Sequence, residues 1–275
     1  MKYLTLLLTL FLAFVFQPAK AQQFTYDLGN SPKKAIQFSL SNSDITVEGY
    51  NGSEVVIENT DYEAPPERAE GLRPLYGAGM DNTGIGLSVE EENGVLKVVQ
   101  ATSNDGEFIV KVPNKVRIMI EEVSWGGGDI SISNHNGEIE IQSKTGDIKL
   151  ENITGPVIAN STSGDVDIVF SQVSSATPTM ISLVSGYIDI TMPASTQADL
   201  LLSSISGEIY TNLDIEIEGE KENMMRLAGG RNIKGTLNGG GVGISLKTIS
   251  GDIYLRKSEG AAEVRSETAN GRRER

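Results

Sequence analysis

Gly128-Asp129-Ile130-Ser131-Ile132 opens the run of near-identical phrases that decides the fold of this 275-residue chain. Each phrase contains a glycine, usually an acidic residue, a β-branched apolar residue, a variable residue and usually a second apolar residue. Further copies begin at Gly137, Gly146, Gly164, Gly186, Gly207 and Gly251. The early copies recur at multiples of nine residues, and the later ones follow at intervals of 22, 21 and 44. Such fixed self-similarity is typical of proteins built from stacked repeats.

The alternation within each phrase indicates β-strands. In the copy that begins at Gly146, Ile148 and Leu150 point to one side of a strand and Lys149 points to the other. Strands of successive copies, stacked about 4.8 Å apart, would align these apolar residues into continuous ladders. We therefore predict an all-β fold, a single-stranded parallel β-helix or β-solenoid whose rungs of 18–22 residues each contain two strands.

The first 21 residues predict export. The apolar run Leu4 to Phe16 is 13 residues long, which is too short for a membrane span of about 20 residues. Ala19-Lys20-Ala21 then supplies a cleavage site before Gln22. We predict a signal peptide over residues 1–21 and a mature protein that is periplasmic, cell-surface or secreted.

The remaining chain divides by pattern. Residues 22–120 carry a degraded form of the phrase and predict a β lead-in with an irregular insert at about residues 63–84. Glu92-Asn93-Gly94 predicts the turn of a hairpin, because Asn-Gly suits a tight turn. Residues 121–257 hold the solenoid repeats, continuous with the lead-in. Residues 258–275 lose all apolar patterning and predict a disordered tail.

Composition excludes several classes of function. The chain has no cysteine, which excludes disulfides, thiolate metal sites and cysteine nucleophiles. Its formal net charge is −14, and such a surface repels nucleic acid and anionic headgroups. A second long apolar stretch does not occur in the sequence, so we expect no membrane insertion of the mature chain.

Candidate chemical groups are few. The single histidine, His135, lies in an Asn-His-Asn-Gly turn and is expected to be exposed, and Trp125 is expected to pack at the end of a rung. The carboxylates Asp129, Asp147 and Asp165 follow the corner glycines and would stack on one edge. Calcium could bridge them there, although the alternative is that they cap turns in solvent.

The outward-facing residues form a predicted column of Ser131, Lys149, Asp167, Asp189 and Tyr210. Lys149 beside Asp167 would be favourable, whereas Asp167 beside Asp189 would repel. Paired carboxylates at this spacing are compatible with glycoside cleavage, but no clustered arginine or aromatic platform is evident in the sequence. Tyr254 has the same phase as Tyr210. The candidate contact residues are therefore Lys149, Asp167, Asp189, Tyr210 and Tyr254.

The ordered motifs resemble a family of exported bacterial β-strand-repeat proteins of unknown function, catalogued as "putative adhesins". The resembling stretches are Ser43 to Tyr50, Lys111 to Val116, Gly128 to Ile168 and Gly239 to Leu255, within residues 36–257. The resemblance implies a β-helix-like fold at the cell envelope. It supplies neither catalytic residues nor a cofactor.

From these features we expect a non-enzymatic envelope or secreted repeat protein, an adhesin-like scaffold that presents an acidic β-surface to a protein or glycan. Two alternatives stay open. One is a polysaccharide-active β-helix enzyme that uses Asp167 and Asp189, and the other is a periplasmic module associated with sensing or signalling.

Overall fold

A computed structural model describes residues 22–29, 34–64, 66–69, 72, 79–102, 104–218 and 231–258. Across these residues the chain is all-β apart from a short 3-10 helix at Glu67–Ala69. No helix in them is long and apolar enough to cross a membrane. The predicted signal peptide and nearly all of the predicted tail lie outside the described residues, as do parts of the predicted insert.

The strands are short, and none lies in the described residues between Asn59 and Leu87. Before the repeats they are β1 Gln22–Asp27, β2 Ala35–Leu40, β3 Ser43–Tyr50, β4 Glu54–Asn59, β5 Leu87–Glu92, β6 Val95–Gln100, β7 Gly106–Pro113 and β8 Arg117–Glu122. The central repeats contribute β9 Ile130–Ser133, β10 Ile139–Gln142, β11 Ile148–Ile153, β12 Val157–Ser161, β13 Val166–Phe170, β14 Thr179–Ser185 and β15 Ile188–Met192. The last strands are β16 Ala198–Ser204, β17 Ile209–Thr211, β18 Ile215–Ile217, β19 Arg231–Leu237, β20 Val242–Ser250 and β21 Ile253–Lys257.

Two sheets enclose the core. Sheet A has the order β1-β4-β7-β3-β9-β11-β13-β15-β21-β17, and sheet B has the order β18-β19-β16-β20-β14-β12-β10-β8-β2-β6-β5. From β8 to β15 the chain alternates between the two sheets, so each strand of sheet B leads through a corner into a strand of sheet A. The inward residues, such as Ile148 and Leu150 of sheet A and Ile139 and Ile141 of sheet B, are buried. The alternation predicted for the phrases is confirmed.

The central strands stack in parallel at the spacing of the sequence repeat. Ile148 lies beside Ile130, and Val166 lies beside Ile148, each 18 residues apart. Ile188 follows beside Val166 after 22 residues. A β-solenoid-like repeat is therefore confirmed, with one rung formed by a strand of sheet B and the next strand of sheet A.

The close stacking explains the corner glycines. A Cβ on Gly146 would overlap the carbonyl oxygen of Gly128 in the adjacent rung. A Cβ on Gly164 would likewise collide with Gly146, and Gly164 also has a φ of +108°, where a side chain is unfavourable. The 18-residue interval between Gly128, Gly146 and Gly164 therefore equals the number of residues in a rung.

Stacking in chain order, which the intervals between the last glycines suggested, is wrong at the C-terminal end. Ile253 of β21 lies between Ile188 of β15 and Ile209 of β17. In sheet B, β20 likewise lies between β14 and β16. The final rung in sequence, β20/β21, is therefore inserted between β14/β15 and β16/β17.

The N-terminal end shows the same arrangement. The first rung, β2/β3, lies between β6/β7 and β8/β9. Antiparallel strands extend both sheets at the N-terminal end, where β4 and β1 follow β7 and β5 pairs with β6. At the C-terminal end β19 and β18 follow β16 in sheet B, whereas sheet A ends with the parallel strand β17. The β5–β6 hairpin forms as predicted, with Asn93 and Gly94 at positive φ. A parallel β-helix wound in chain order thus describes only the centre of the molecule.

Candidate contact surface on sheet A

The predicted contact residues lie in one row on the outer face of sheet A. The register of the strands gives the order Thr46, Ser131, Lys149, Asp167, Asp189, Tyr254, Tyr210. All five candidates are therefore brought together. The predicted column is corrected at one point, because the inserted rung places Tyr254 between Asp189 and Tyr210.

Lys149 lies beside Asp167 in the register, as expected. Its ammonium group, however, pairs with Glu151 of its own strand at 2.9 Å. The hydrogen bond and charge of Glu151 raise the pKa of Lys149. Lys149 is thus engaged along its strand, and Asp167 receives its hydrogen bond from elsewhere.

Asp167 is half-buried and accepts a hydrogen bond from the Tyr187 hydroxyl, 3.0 Å from Oδ2. Burial raises the pKa of Asp167, as do the nearby carboxylates of Asp189, Asp165 and Asp147, while the Tyr187 hydrogen bond opposes the shift. Burial and the hydrogen bond to Asp167 raise the pKa of the Tyr187 hydroxyl to about 12.

Asp189 is neutralised by an arginine that sequence reasoning did not place here. Arg256 binds its carboxylate in a bidentate manner, with Nε 2.8 Å from Oδ1 and Nη2 2.7 Å from Oδ2. Arg256 reaches this position because β21 pairs with β15, which sets it beside Thr191. The expected repulsion between Asp167 and Asp189 is therefore offset by a charge from the inserted rung.

Three tyrosines from three rungs meet beside this ion pair. The rings of Tyr210 and Tyr254 stack with centroids 5.3 Å apart and planes 11° apart. Tyr187 meets Tyr254 edge-on at 6.1 Å, and the guanidinium of Arg256 lies 5.4 Å from the Tyr254 ring centroid. We call Tyr187, Tyr210 and Tyr254 the tyrosine cluster.

A shallow cavity of about 170 Å³ adjoins the tyrosine cluster. It is lined by Tyr210, Thr211, Asn212, Tyr254, Leu255 and Arg256. The tyrosine cluster is an aromatic surface that was not expected from the sequence, and a single arginine, Arg256, lies beside it. One signal could have revealed it: Ser204-Ile-Ser-Gly-Glu-Ile-Tyr210 nearly repeats Thr248-Ile-Ser-Gly-Asp-Ile-Tyr254, as neighbouring rungs would.

The corner carboxylates form a ladder of hydrogen bonds. Oδ1 of Asp129 accepts from the backbone N–H of Asp147 at 3.0 Å, and Oδ1 of Asp147 accepts from that of Asp165 at 2.8 Å. Asp165 accepts in turn from the N–H of Tyr187 at 3.0 Å. One oxygen of each aspartate thus binds the next rung. The described residues contain no group of three or more acidic or histidine side chains placed to hold a metal ion, and calcium at Asp129, Asp147 and Asp165 stays a prediction.

Two residues differ from their expected environments. His135 is fully buried rather than exposed, because its turn folds inward and Nε2 lies 2.8 Å from the carbonyl oxygen of Val116. Burial lowers the pKa of His135 to about 4, so the ring is neutral and donates this hydrogen bond. Trp125 is 66% exposed rather than packed, with the Lys144 ammonium 5.7 Å from its ring centroid.

Comparison with known proteins identifies a family match over most of the chain. A family model described as "Toastrack DUF4097" matches residues 30–256. No curated protein matches the chain.

Solved structures show weaker similarity. One is of a "putative cell adhesion protein" from Clostridium sporogenes, with 13% identity, a TM-score of 0.46, and coverage of 87% of this chain and 100% of that chain. Another is of a "putative adhesin" from Bacteroides fragilis, with 14% identity, a TM-score of 0.40, and coverage of 88% and 99%.

Proposed function

We propose that this chain, which belongs to the Toastrack DUF4097 family, is a non-enzymatic, exported repeat protein that presents an acidic β-surface for contact with a protein or glycan. The observation that carries the proposal is the tyrosine cluster on the outer face of sheet A. It lies beside the Asp189–Arg256 ion pair and a shallow cavity.

The chemistry of this surface suits binding. Tyrosine provides a large, rigid and amphipathic contact area at a low cost in conformational entropy. The register of three adjacent rungs holds the rings in place, so little ordering is needed when a partner binds. Tyr210 is 50% exposed and supplies an available ring surface.

The charge of the surface narrows the class of partner. Asp165, Asp167, Asp189 and Asp252 lie near the tyrosines, and the whole chain carries a net charge of −14. Such a field favours cationic or hydroxyl-rich partners over polyanions. Nucleic acid is therefore not among the proposed partners.

A binding experiment tests the proposal. Labelled, purified protein is applied to a glycan array and to an array of bacterial envelope and extracellular-matrix proteins. The double variant Tyr210→Ser, Tyr254→Ser is expected to weaken any specific interaction by at least about tenfold, because both stacked rings are removed. Tyr50→Ser, on the outer face of sheet A at the end of β3, is the matched control.

Two results would contradict this proposal. One is the absence of saturable binding to every array component, and the other is equal binding by the double variant and the unaltered protein. Circular dichroism and thermal melting establish that the variants compared are folded.

Polysaccharide cleavage is a second candidate, favoured by the raised pKa of Asp167 beside Asp189. A carboxyl group with a raised pKa is suited to act as a general acid. Against it, Asp189 is bound in a bidentate manner by Arg256, which occupies the second carboxylate. Release of reducing ends from a polysaccharide panel, lost on Asp167→Asn, would establish the enzyme instead of the scaffold.

A further inference from the structure

Strand β1 forms the edge of sheet A at the N-terminal end of the stack. It pairs with β4 on one side, and no described strand lies on its other side. Sheet A continues beyond the rung β6/β7 with β4 and β1, whereas sheet B continues only with β5. β1 therefore projects one strand further than the edge of sheet B.

The hydrogen bonds of β1 show which of its backbone groups face the free side. The N–H of Leu28 donates to the carbonyl oxygen of Ser53 at 3.1 Å, and the antiparallel register of β1 and β4 leads directly into this pair. Hydrogen-bonded pairs alternate along an antiparallel ladder, so every second residue before Leu28 bonds to β4. The backbone groups of the others point to the free side, and these residues are Gln23, Thr25 and Asp27.

The edge strands of the molecule differ in how they are protected. β5 ends in three consecutive glutamates, Glu90 to Glu92, and charged side chains on an edge hinder pairing with another chain. β17 and β18 have only three residues each and offer little backbone. β1 has six residues and no charged side chain from Gln22 to Tyr26. It is thus the edge best suited to accept a further strand.

The sequence of β1 is complementary to a second, antiparallel copy of itself. In one register Thr25 lies opposite the partner's Thr25, and Gln23 lies opposite the partner's Asp27. This register joins the free backbone groups of all three residues in hydrogen-bonded pairs. A shift by two residues in either direction sets one of the three opposite a residue outside β1.

The same register brings aromatic side chains together on the core side of the sheet. Phe24 and Tyr26 are half-buried and lie on the inner face of β1, since they pair with the buried Ile57 and Val55 of β4. Phe24 would lie opposite the partner's Tyr26 in a pair without backbone hydrogen bonds, where side chains are closest. Aromatic pairs of this kind stabilise a sheet.

Charge also favours a second copy at this edge. Two chains that each carry a net charge of −14 repel each other where their acidic surfaces meet, but the segment Gln22 to Tyr26 is neutral. Asp27 would lie opposite an amide instead of another carboxylate. Every contact of the register occurs twice or lies on the axis, as a two-fold interface requires.

We propose that two copies of this chain pair through β1 into a symmetric dimer in which sheet A is continuous, with the two-fold axis at Thr25. The interface is small, so we expect a dissociation constant in the micromolar range. Added salt should strengthen the dimer by screening the repulsion between the chains. The inference is independent of the proposed function, because β1 and the tyrosine cluster lie at opposite ends of sheet A.

Sedimentation equilibrium of the whole purified protein tests the dimer. The variant Thr25→Pro removes a backbone N–H that faces the free side, and proline is tolerated on an edge strand when it breaks no bond to the neighbouring strand. We expect it to raise the dissociation constant at least about tenfold. Thr25→Ser, which keeps the N–H, is the matched control and should retain the dimer.

Opposite charges at the axis test the register. Thr25→Glu and Thr25→Lys each set like charges opposite one another, which destabilises a strand pair. Each variant alone should dimerise at least about tenfold more weakly than the unaltered protein. An equimolar mixture of the two should recover the dimer, because glutamate then lies opposite lysine.

Three results would overturn the inference. The first is a monomeric mass at concentrations well above the micromolar range. The second is a dimer that Thr25→Pro does not weaken, or a mixture of the charged variants that associates no better than each alone. The third is a monomer whose β1 edge binds an unrelated β-strand peptide, with binding lost in Thr25→Pro, which would assign the edge to another protein. Circular dichroism and thermal melting establish that the variants are folded.

Discussion

Gly146 shows at the scale of one residue how the repeat is held together. Its Cα faces the backbone of the adjacent rung so closely that a Cβ would overlap the Gly128 carbonyl oxygen. Because backbone cannot move aside as a flexible side chain can, a methyl group here would have to separate two rungs. The glycine is therefore required by packing between rungs.

The substitution Gly146→Ala should accordingly lower the free energy of unfolding by about 1–3 kcal/mol. Urea denaturation of the two proteins measures the change. The control is Gly243→Ala, because a Cβ there would meet Pro178 at an ordinary 3.7 Å; we expect it to change stability by less than about 0.5 kcal/mol. Equal effects of the two substitutions would show that close stacking does not constrain the corner.

His135 makes stability depend on pH. Its pKa falls from 6.5 to about 4 on folding because the ring is buried. Between these values the unfolded chain binds a proton that the folded protein does not, so stability is full above pH 6.5 and declines as the pH falls toward 4. The greatest loss from this one group is about 3 kcal/mol.

The variant His135→Gln isolates this contribution, since glutamine can donate to the Val116 carbonyl oxygen but does not titrate. We expect the unaltered protein to lose about 2–3 kcal/mol more than the variant between pH 7.5 and pH 4.5. Parallel urea titrations at the two pH values give this difference. Identical losses in both proteins would mean that His135 titrates normally.

At the scale of the element, the decisive feature is the position of β20/β21. β20 is close to the end of the chain, yet its residue Thr248 pairs with Leu183 on one side and Ser204 on the other. A strand paired on both sides opens only with its neighbours, whereas an edge strand opens more easily. The insertion thus makes a late segment of the sequence a central segment of the sheet.

Hydrogen exchange should reveal this position. We expect the amides of β20 to exchange about a hundredfold more slowly than those of β5, which is the edge strand at the other end of sheet B. β12, in the middle of the same sheet, serves as the internal reference. Exchange of β20 at the rate of β5 would favour stacking in chain order and contradict the insertion.

The whole molecule is an acidic stack, and its charge governs its response to ions. The corner ladder places Asp129, Asp147 and Asp165 on successive rungs, within a chain of net charge −14. Added salt should relieve this repulsion and raise the melting temperature by screening.

We expect calcium and sodium chloride to raise the melting temperature equally when compared at the same ionic strength. Differential scanning fluorimetry with and without chelator measures this. A saturable increase specific to calcium, lost on Asp147→Asn, would instead establish the calcium site considered for the corner carboxylates.

Local pattern in the sequence was sufficient for much of this description. Alternation in Ile148-Lys149-Leu150 identified inward and outward residues, because side chains of a strand point alternately to its two faces. The 18-residue interval between alternate glycines, such as Gly128 and Gly146, identified the rung length, because each corner must avoid the one below it. The row that contains Lys149, Asp167 and Asp189 followed from these two facts.

Only the tertiary structure decided the order of the rungs, and with it the candidate site. The phrases at Gly207 and Gly251 are so alike that either could lie on the rung of Gly186, and local sequence does not distinguish these pairings. The choice depends on non-local pairing of β20 with β14 and of β19 with β16. That pairing brings Tyr254 and Arg256 to Asp189 and Tyr210. The burial of His135 also depends on a tertiary contact, since its partner is the carbonyl oxygen of Val116, which precedes β8 in the adjacent rung.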